Sequence, residues 1–233
     1  MKKLLGILLL GFFSVSDASA YTPPPSFILA RSIKDRKGLR SIEWTARITD
    51  TKSQVTFKEQ LRIEYPSGRL FASYSGPSDE PWGSHEADPS TLSRLGRFWI
   101  TVGLDPNGAR VKSALSELGV LPEESSESKL TKVGKSIAWT WGEQARILFG
   151  KDSFLPIGYS SRPDTGSESI LVESFMLAGN QLQVPKGVQV TAGSASYRFE
   201  VRSVKVDVPN KSAPFSQGKT DNAWVKGWVT LVR

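Results

Sequence analysis

The sequence predicts a mainly β (α+β) protein, and three observations carry that expectation. Apolar and polar residues alternate along most of the chain, as in Ile42, Trp44, Ala46 and Ile48 against Glu43, Thr45, Arg47 and Thr49. This is the period-two pattern of a half-buried strand. Turn signals built from Gly, Pro, Asn, Asp and Ser interrupt the pattern at short intervals, the mark of an antiparallel meander. Helical spacing is confined to a leading stretch and to an insert between residues 90 and 119. The balance is roughly ten strands against three helices, far from average proportions.

The chain of 233 residues opens with Lys2 and Lys3, an apolar run from Leu4 to Phe13, and the small-residue pattern Ala18-Ser19-Ala20. That order is the signature of a cleavable secretory signal peptide. A run of about ten apolar residues is half of the roughly 20 needed to cross a bilayer. Residues 1–20 are therefore set aside, and the mature protein is expected to begin at Tyr21 and to act as a soluble protein outside the cytoplasm. Cysteine is absent, which excludes disulfides, a lipid-modified N-terminal Cys, a Cys nucleophile and thiolate metal sites. A chain of this length buries enough surface to fold without disulfide staples. The formal net charge is +7. With export, nucleic acid is not the expected target. The basic balance fits anionic lipid head groups or an acidic partner, and equally a scattered, solvated positive surface.

Thr22-Pro23-Pro24-Pro25 is a stiff, extended leader. Ser26 is the candidate N-cap of a helix running to about Lys37, with Phe27, Leu29, Ala30 and Ile33 on its apolar side and Gly38 as its stop. After the first strand, Val55, Phe57, Leu61, Ile63 and Tyr65 share a strand face that Glu59 interrupts. The Pro66-Ser67-Gly68 turn leads into a third strand, Arg69 to Ser75. Gly76 to Pro89 reads as a loop. Leu92, Leu95, Phe98, Trp99 and Val102 fit one short helix. Val111, Leu115 and Leu118 fit a second, with Asp105 as N-cap, Pro106 in its first turn and Gly119 as stop. Glu123 to Ser128 is a polar loop.

Strands then resume at Ile137 to Trp141, Ala145 to Phe149, Leu155 to Tyr159, Ile170 to Phe175 and Leu182 to Val184. Turns at Gly150-Lys151-Asp152, Asp164-Thr165-Gly166 and Gly179-Asn180 separate them. Tyr197, Phe199 and Val201 alternate in one phase and Val204, Val206 and Val208 in the other, which places a β-bulge near Ser203. The tail from Trp224 to Val232 is a candidate last strand.

No nucleophile elbow, P-loop or dinucleotide fingerprint is present. His85, the single histidine, stands in Gly83-Ser84-His85-Glu86-Ala87-Asp88. Neighbouring loop residues cannot easily converge on one atom, and neither a second His nor a Cys completes a zinc site. Ser84, His85 and Glu86 are expected to be dispensable, and no catalytic residue, metal or cofactor is assigned. Glu59 is a candidate for a salt bridge, an edge position or contact with a ligand head group. Seven Trp residues are more large rings than a sheet packed by one helix needs, and rings with polar edges suit an amphipathic cavity.

Two phrases carry a family resemblance: Phe149-Gly-Lys-Asp-Ser-Phe-Leu-Pro-Ile157, and Phe199-Glu-Val-Arg-Ser-Val-Lys-Val-Asp-Val-Pro209 with Pro214-Phe215 after it. With the order of helix, meander, two-helix insert and second meander, they resemble the LolA/LolB family of periplasmic lipoprotein carriers and its RseB/MucB-type regulatory relatives. The likeness covers about residues 26 to 215. Where the carriers have an Arg-Pro motif, this chain has Tyr65-Pro66, with Arg69 nearby. The family's Asp-Gly-Lys…Trp hairpin is replaced by the loop around Trp82. The resemblance implies one domain over residues 21–215, a curled antiparallel half-barrel packed by the N-terminal helix and a two-helix lid insert, with 216–233 as a Trp-containing tail.

It also implies a monomeric periplasmic protein that binds lipid or the acyl chains of lipoproteins. The alternative is a sensor or protein-binding module with membrane-surface or membrane-protein contact. The candidate ligand-binding residues are Trp44, Phe57, Leu61, Ile63, Tyr65 and Phe71 in the first meander, Leu95, Phe98 and Trp99 in the lid, and Trp139, Trp141 and Phe149 in the second meander.

Overall fold

The computed structural model describes residues 22–123, 126–161, 168–179, 182–209 and 222–233. The expected signal peptide, the turn at 164–166, Asn180 and the Pro214-Phe215 pair lie outside these residues. Eleven strands form one antiparallel sheet: β1 (Ser41–Asp50), β2 (Thr56–Glu64), β3 (Arg69–Ser75), β4 (Pro81–Ala87), β5 (Lys129–Val133), β6 (Ser136–Trp141), β7 (Ala145–Gly150), β8 (Pro156–Ser161), β9 (Glu168–Ala178), β10 (Leu182–Ala192) and β11 (Ala195–Val206). Their spatial order is β4-β3-β2-β1-β11-β10-β9-β8-β7-β6-β5. One meander runs outward from the centre to β4. The other begins at the far edge, β5, and returns until its last strand lies against β1. The sheet stays open, with β4 and β5 as its edges.

Between those edges the chain crosses the sheet through a helical segment: a turn of α2 (Arg94–Gly96), a π-helix at Arg97–Val102, and α3 (Gly108–Glu117). With α1 (Pro25–Lys34) and α4 (Ala223–Val232) it covers one face of the sheet. The alternation in each strand decides which face that is. Register partners run as a continuous apolar belt, from Leu70 through Ile63 and Ile42, and from Phe57 through Ile48, Phe199 and Val188. All of these are 0% exposed. On the second meander, Val190, Ile170, Tyr159 and Ile147 continue the belt through paired positions. The opposite face carries the alternating polar residues, such as the Thr45–Ser203 hydroxyl pair at 2.8 Å.

The insert is pinned to the inner face by aromatic contacts and carbonyl acceptors. Trp99 stacks on Trp44 with centroids 5.9 Å apart and meets Phe199 edge-on at 4.3 Å. Phe98 stacks on Tyr159 at 5.9 Å. The Trp141 indole donates to the Val120 carbonyl at 2.8 Å, and Arg36, just past α1, donates to the Val102 carbonyl at 2.6 Å. Each uses a polar edge to satisfy a backbone acceptor that the packing removes from water.

Several expectations are corrected. The first helix starts at Pro25 with Pro24 as N-cap, not at Ser26, and ends at Lys34. Proline there loses nothing, since the first helical N–H groups have no acceptor. The stretch expected as a loop contains β4, whose residues pair with β3 from Leu70↔Ala87 to Ser75↔Pro81. Its Pro and Gly are tolerated because it is an edge strand. The α3 N-cap is Asn107, whose side chain accepts from Ala109 and Arg110 N–H, while Asp105 instead pairs with Arg110. β5 adds a strand that the polar sequence before Ile137 did not reveal.

The tail is a helix, not a strand. Asn222 caps it, and Val225, Trp228 and Val232 fall on one buried side. Its β-branched and aromatic content favours a strand, but packing overrides so weak a propensity. The expected bulge near Ser203 is present, with the register stepping from Thr45↔Ser203 to Ala46↔Val201.

Because Trp99 is 1% exposed and wedged between three rings, Trp99→Ala is expected to lower the unfolding free energy by about 3–5 kcal/mol. Phe71→Ala, on the outer face, is expected to cost far less. Urea denaturation of the two variants measures the contrast.

Candidate functional site

Glu59 sits in the middle of the apolar inner face, between Ala46 of β1 and Tyr74 of β3 in the register. Its carboxylate is 0% exposed. A bare carboxylate there would cost several kcal/mol of lost hydration, and four donated hydrogen bonds offset that cost. Trp44 Nε1 donates to Oε1 at 3.1 Å, and Trp228 Nε1 donates to Oε2 at 3.1 Å. Arg233 Nη2 reaches both oxygens, at 2.8 and 2.9 Å. The guanidinium is itself 0% exposed and lies over the rings of Trp99 at 5.4 Å and Trp228 at 5.9 Å. The site is a carboxylate at the floor of an aromatic cage, holding a planar cation.

Both Trp228 and Arg233 come from the chain's last helix. Trp228 fills the space between Trp99, Tyr197 and Phe199, stacking on Phe199 at 5.8 Å. Ser93 donates its hydroxyl to the Leu231 carbonyl at 2.7 Å. Gly96 is needed for close approach, because a Cβ there would collide with the Val232 carbonyl. Gly227 likewise leaves room for the Tyr197 hydroxyl, which a Cβ would meet at 2.8 Å.

The polar groups around the cage are not all satisfied. Arg233 Nε, the Tyr74 hydroxyl, Trp99 Nε1 and His85 Nε2 are buried and have no hydrogen-bond partner of good geometry among the described residues. Burial, reinforced by the Glu59 carboxylate, pushes the Tyr74 phenol well above its usual range. Burial and then the Arg233 charge lower the pKa of His85, with Glu59 opposing. His85 is thus half-buried on a strand beside this cluster, not in an exposed loop. No group of three or more His, Cys, Asp or Glu suited to a metal occurs among the described residues.

Of the twelve candidate ligand-binding residues, eleven belong to one continuous buried apolar cluster, all but Phe71, with Trp44 and Trp99 at the cage itself. Tyr65 is buried near Arg36, Asp105 and Arg110. Trp139, Trp141 and Phe149 lie on the inner face of the second meander, where Trp141 and Phe149 stack at 5.1 Å. Phe71 faces the other way and carries Arg69 over its ring at 5.5 Å. Glu59 was visible from sequence as a break in an apolar strand face. Its partner Arg233 was not, since nothing local ties two residues 174 positions apart.

A cleft of about 1090 Å³ lies at β1 to β4, lined by the outward residues Thr45, Arg47, Lys58 and Ser73, by the inner-face residues Phe57, Glu59 and Tyr74, and by Trp82. Of its charges, Lys58 is paired with Asp79 at 2.7 Å and Arg202 with Glu200 at 2.9 Å. The cleft borders the Glu59 cage, since Glu59 and Tyr74 are among its lining residues, and the buried cage is taken as the candidate site.

No family model and no curated protein matches the chain. Among solved structures, it is similar to a putative outer membrane lipoprotein-sorting protein domain from Vibrio parahaemolyticus. That match has TM-score 0.43 and 8% identity, over 80% of this chain and 93% of the other. It is also similar to a LolA superfamily protein from Nitrosomonas europaea, with TM-score 0.45 and 10% identity over 82% and 96%. The MucA/MucB complex structure from Pseudomonas aeruginosa matches with TM-score 0.30 and 15% identity, over 80% of this chain and 58% of the other.

The Glu59–Arg233 pair is expected to be strongly coupled. Arg233→Met alone is expected to cost on the order of 3–5 kcal/mol, because Glu59 is left buried without its counter-charge. Combining it with Glu59→Gln is expected to cost less than Arg233→Met alone. A double-mutant cycle by urea unfolding measures the difference.

Proposed function

We propose that this chain is an exported, non-catalytic binding protein of the lipoprotein-carrier kind, acting in the periplasm. Lipid, or the acyl chains of a lipoprotein, would lie on the inner face of the half-barrel, in the space that α4 fills in this structure. The observation that carries the reading is the character of that face: a wide apolar belt on an open sheet, covered by a helical segment joining its two edges and by a separate terminal helix. Helix covers of this kind rest on the sheet mainly through side chains, so they can lift without breaking a strand ladder. An acyl chain contributes about 0.8 kcal/mol per buried CH₂, enough to compete for such a surface without covalent chemistry.

No helix among the described residues is long and apolar enough to cross a membrane, which fits a carrier that hands its cargo over at a surface. A second reading, a sensor or protein-binding module using the same face, is favoured by one observation: the occupant of the face is itself a polypeptide helix.

Titrating the mature protein with a synthetic diacyl lipopeptide, while following intrinsic Trp fluorescence, tests the proposal. Trp44, Trp99 and Trp228 surround the site, so the expected result is a saturable change that a lipid-free peptide of the same sequence does not produce. Equal responses to the acylated and the bare peptide would favour the protein-binding reading. No response to either would remove the inner face as a binding site.

A further inference from the structure

We infer that α4 is an internal surrogate ligand, and that the site beneath it selects an amphiphile carrying a cationic head group, ammonium or guanidinium, through Glu59. The inference rests on the proposed acyl-binding function and adds the head-group chemistry. What α4 places on the inner face is a description of what that face accepts. Val225, Trp228 and Val232 supply apolar bulk, each 0% exposed, and Arg233 supplies one positive charge held bidentate by Glu59.

When α4 lifts, Trp228 and Arg233 leave together. Glu59 then remains at the centre of an apolar belt with Trp44 donating to it and Trp99 beside it. A carboxylate so placed penalises an anionic or neutral occupant, because neither restores its lost counter-charge. A cation over the Trp99 face and against Glu59 restores the two contacts of Arg233 that do not leave with α4. The Tyr74 hydroxyl and His85 Nε2, which lack a partner in the closed state, border the same spot, so the N–H donors of an ammonium or guanidinium find additional acceptors there. Closure by α4 also lowers the apparent affinity for any competitor by the fraction of open molecules. The occupant is therefore one that outcompetes Arg233 in kind.

Three surfactants of equal chain length, used below their micelle-forming concentrations, test this: dodecylammonium, dodecyl maltoside and dodecyl sulfate. Binding is read by Trp fluorescence, and release of α4 by amide hydrogen exchange over residues 225–232. The expected result is that the cationic surfactant binds on the order of tenfold more tightly than the other two and deprotects α4. Arg233→Met should strengthen cationic binding further, and Glu59→Gln should erase the preference. A variant that does not remove the ion pair guards against misfolding: Ser93→Cys with Leu231→Cys, in a chain without other cysteines. Oxidised, it should block binding, and reduction should restore it.

Equal binding of all three surfactants with α4 released would overturn the head-group selection and leave the acyl-binding function standing. Binding that leaves α4 protected, or that survives the disulfide, would overturn the surrogate-ligand role. If no surfactant binds wild type or Arg233→Met, both readings fall. A synthetic peptide of residues 222–233 that binds Arg233→Met when no surfactant does would overturn the inference in favour of a protein segment.

Discussion

A carboxylate in the middle of an apolar sheet face is a constraint that the rest of this structure has to satisfy. Glu59 lies between strands whose inward neighbours are aliphatic or aromatic, and water does not reach it. Hydrogen bonds and charge must therefore come from the protein, and they come from places far apart in sequence. Trp44 on the neighbouring strand supplies one indole, Trp228 on the last helix another, and Arg233 the counter-charge. The need to neutralise one side chain fixes where α4 can sit and how it is rotated. The same contacts set the position of the insert, because Trp99 stacks on Trp44, meets Phe199 in a T-shaped contact and lies under Arg233.

Sheet topology makes this arrangement possible. β1 and β11 meet at the centre, so both meanders present their inward residues to a single surface whose two edges remain free. A segment that joins those edges must cross that surface, and the insert that carries α2, the π-helix and α3 does so. The terminal helix then closes what the insert leaves open. Buried ion pairs are poor sources of net stability, because desolvation consumes most of the attraction. Their retention here is better explained by specificity: one docking position for α4, and one kind of group that can replace it. The small residues Gly96 and Gly227 lie where the helix approaches most closely, which ties the fit of α4 to backbone contact as well as to charge.

The strand pattern was legible because alternation is a local property. Ile42 to Ile48, Tyr197 to Val201 and the phase change near Ser203 all mark inward positions that the register confirms. The edge strands were less legible. β4, Pro81-Trp-Gly-Ser-His-Glu-Ala87, shows no apolar alternation, since an edge strand has little to bury, and β5 is largely solvated. The last helix was misread as a strand because Trp, Val and Thr favour strands in isolation. Only its tertiary partners reward the helical spacing of Val225, Trp228 and Val232. Of the site, Glu59 was conspicuous as an acid on an apolar face, and the aromatic excess was real. The cation that completes the cage was hidden, because pairing across the whole length of a chain leaves no trace in local sequence.

Indole N–H spectroscopy tests whether Glu59 holds α4 on the inner face. The chain has seven Trp residues, and two of their indoles, Trp44 and Trp228, donate to a single buried carboxylate. In a ¹H–¹⁵N spectrum, those two indole signals should exchange slowly with solvent, and both should move together when Glu59 is replaced by Gln, while the signals of Trp82 and Trp224 stay in place. Rapid exchange of the Trp228 indole in the wild-type protein, or a Glu59→Gln spectrum in which only the Trp44 signal moves, would show that α4 does not dock on Glu59.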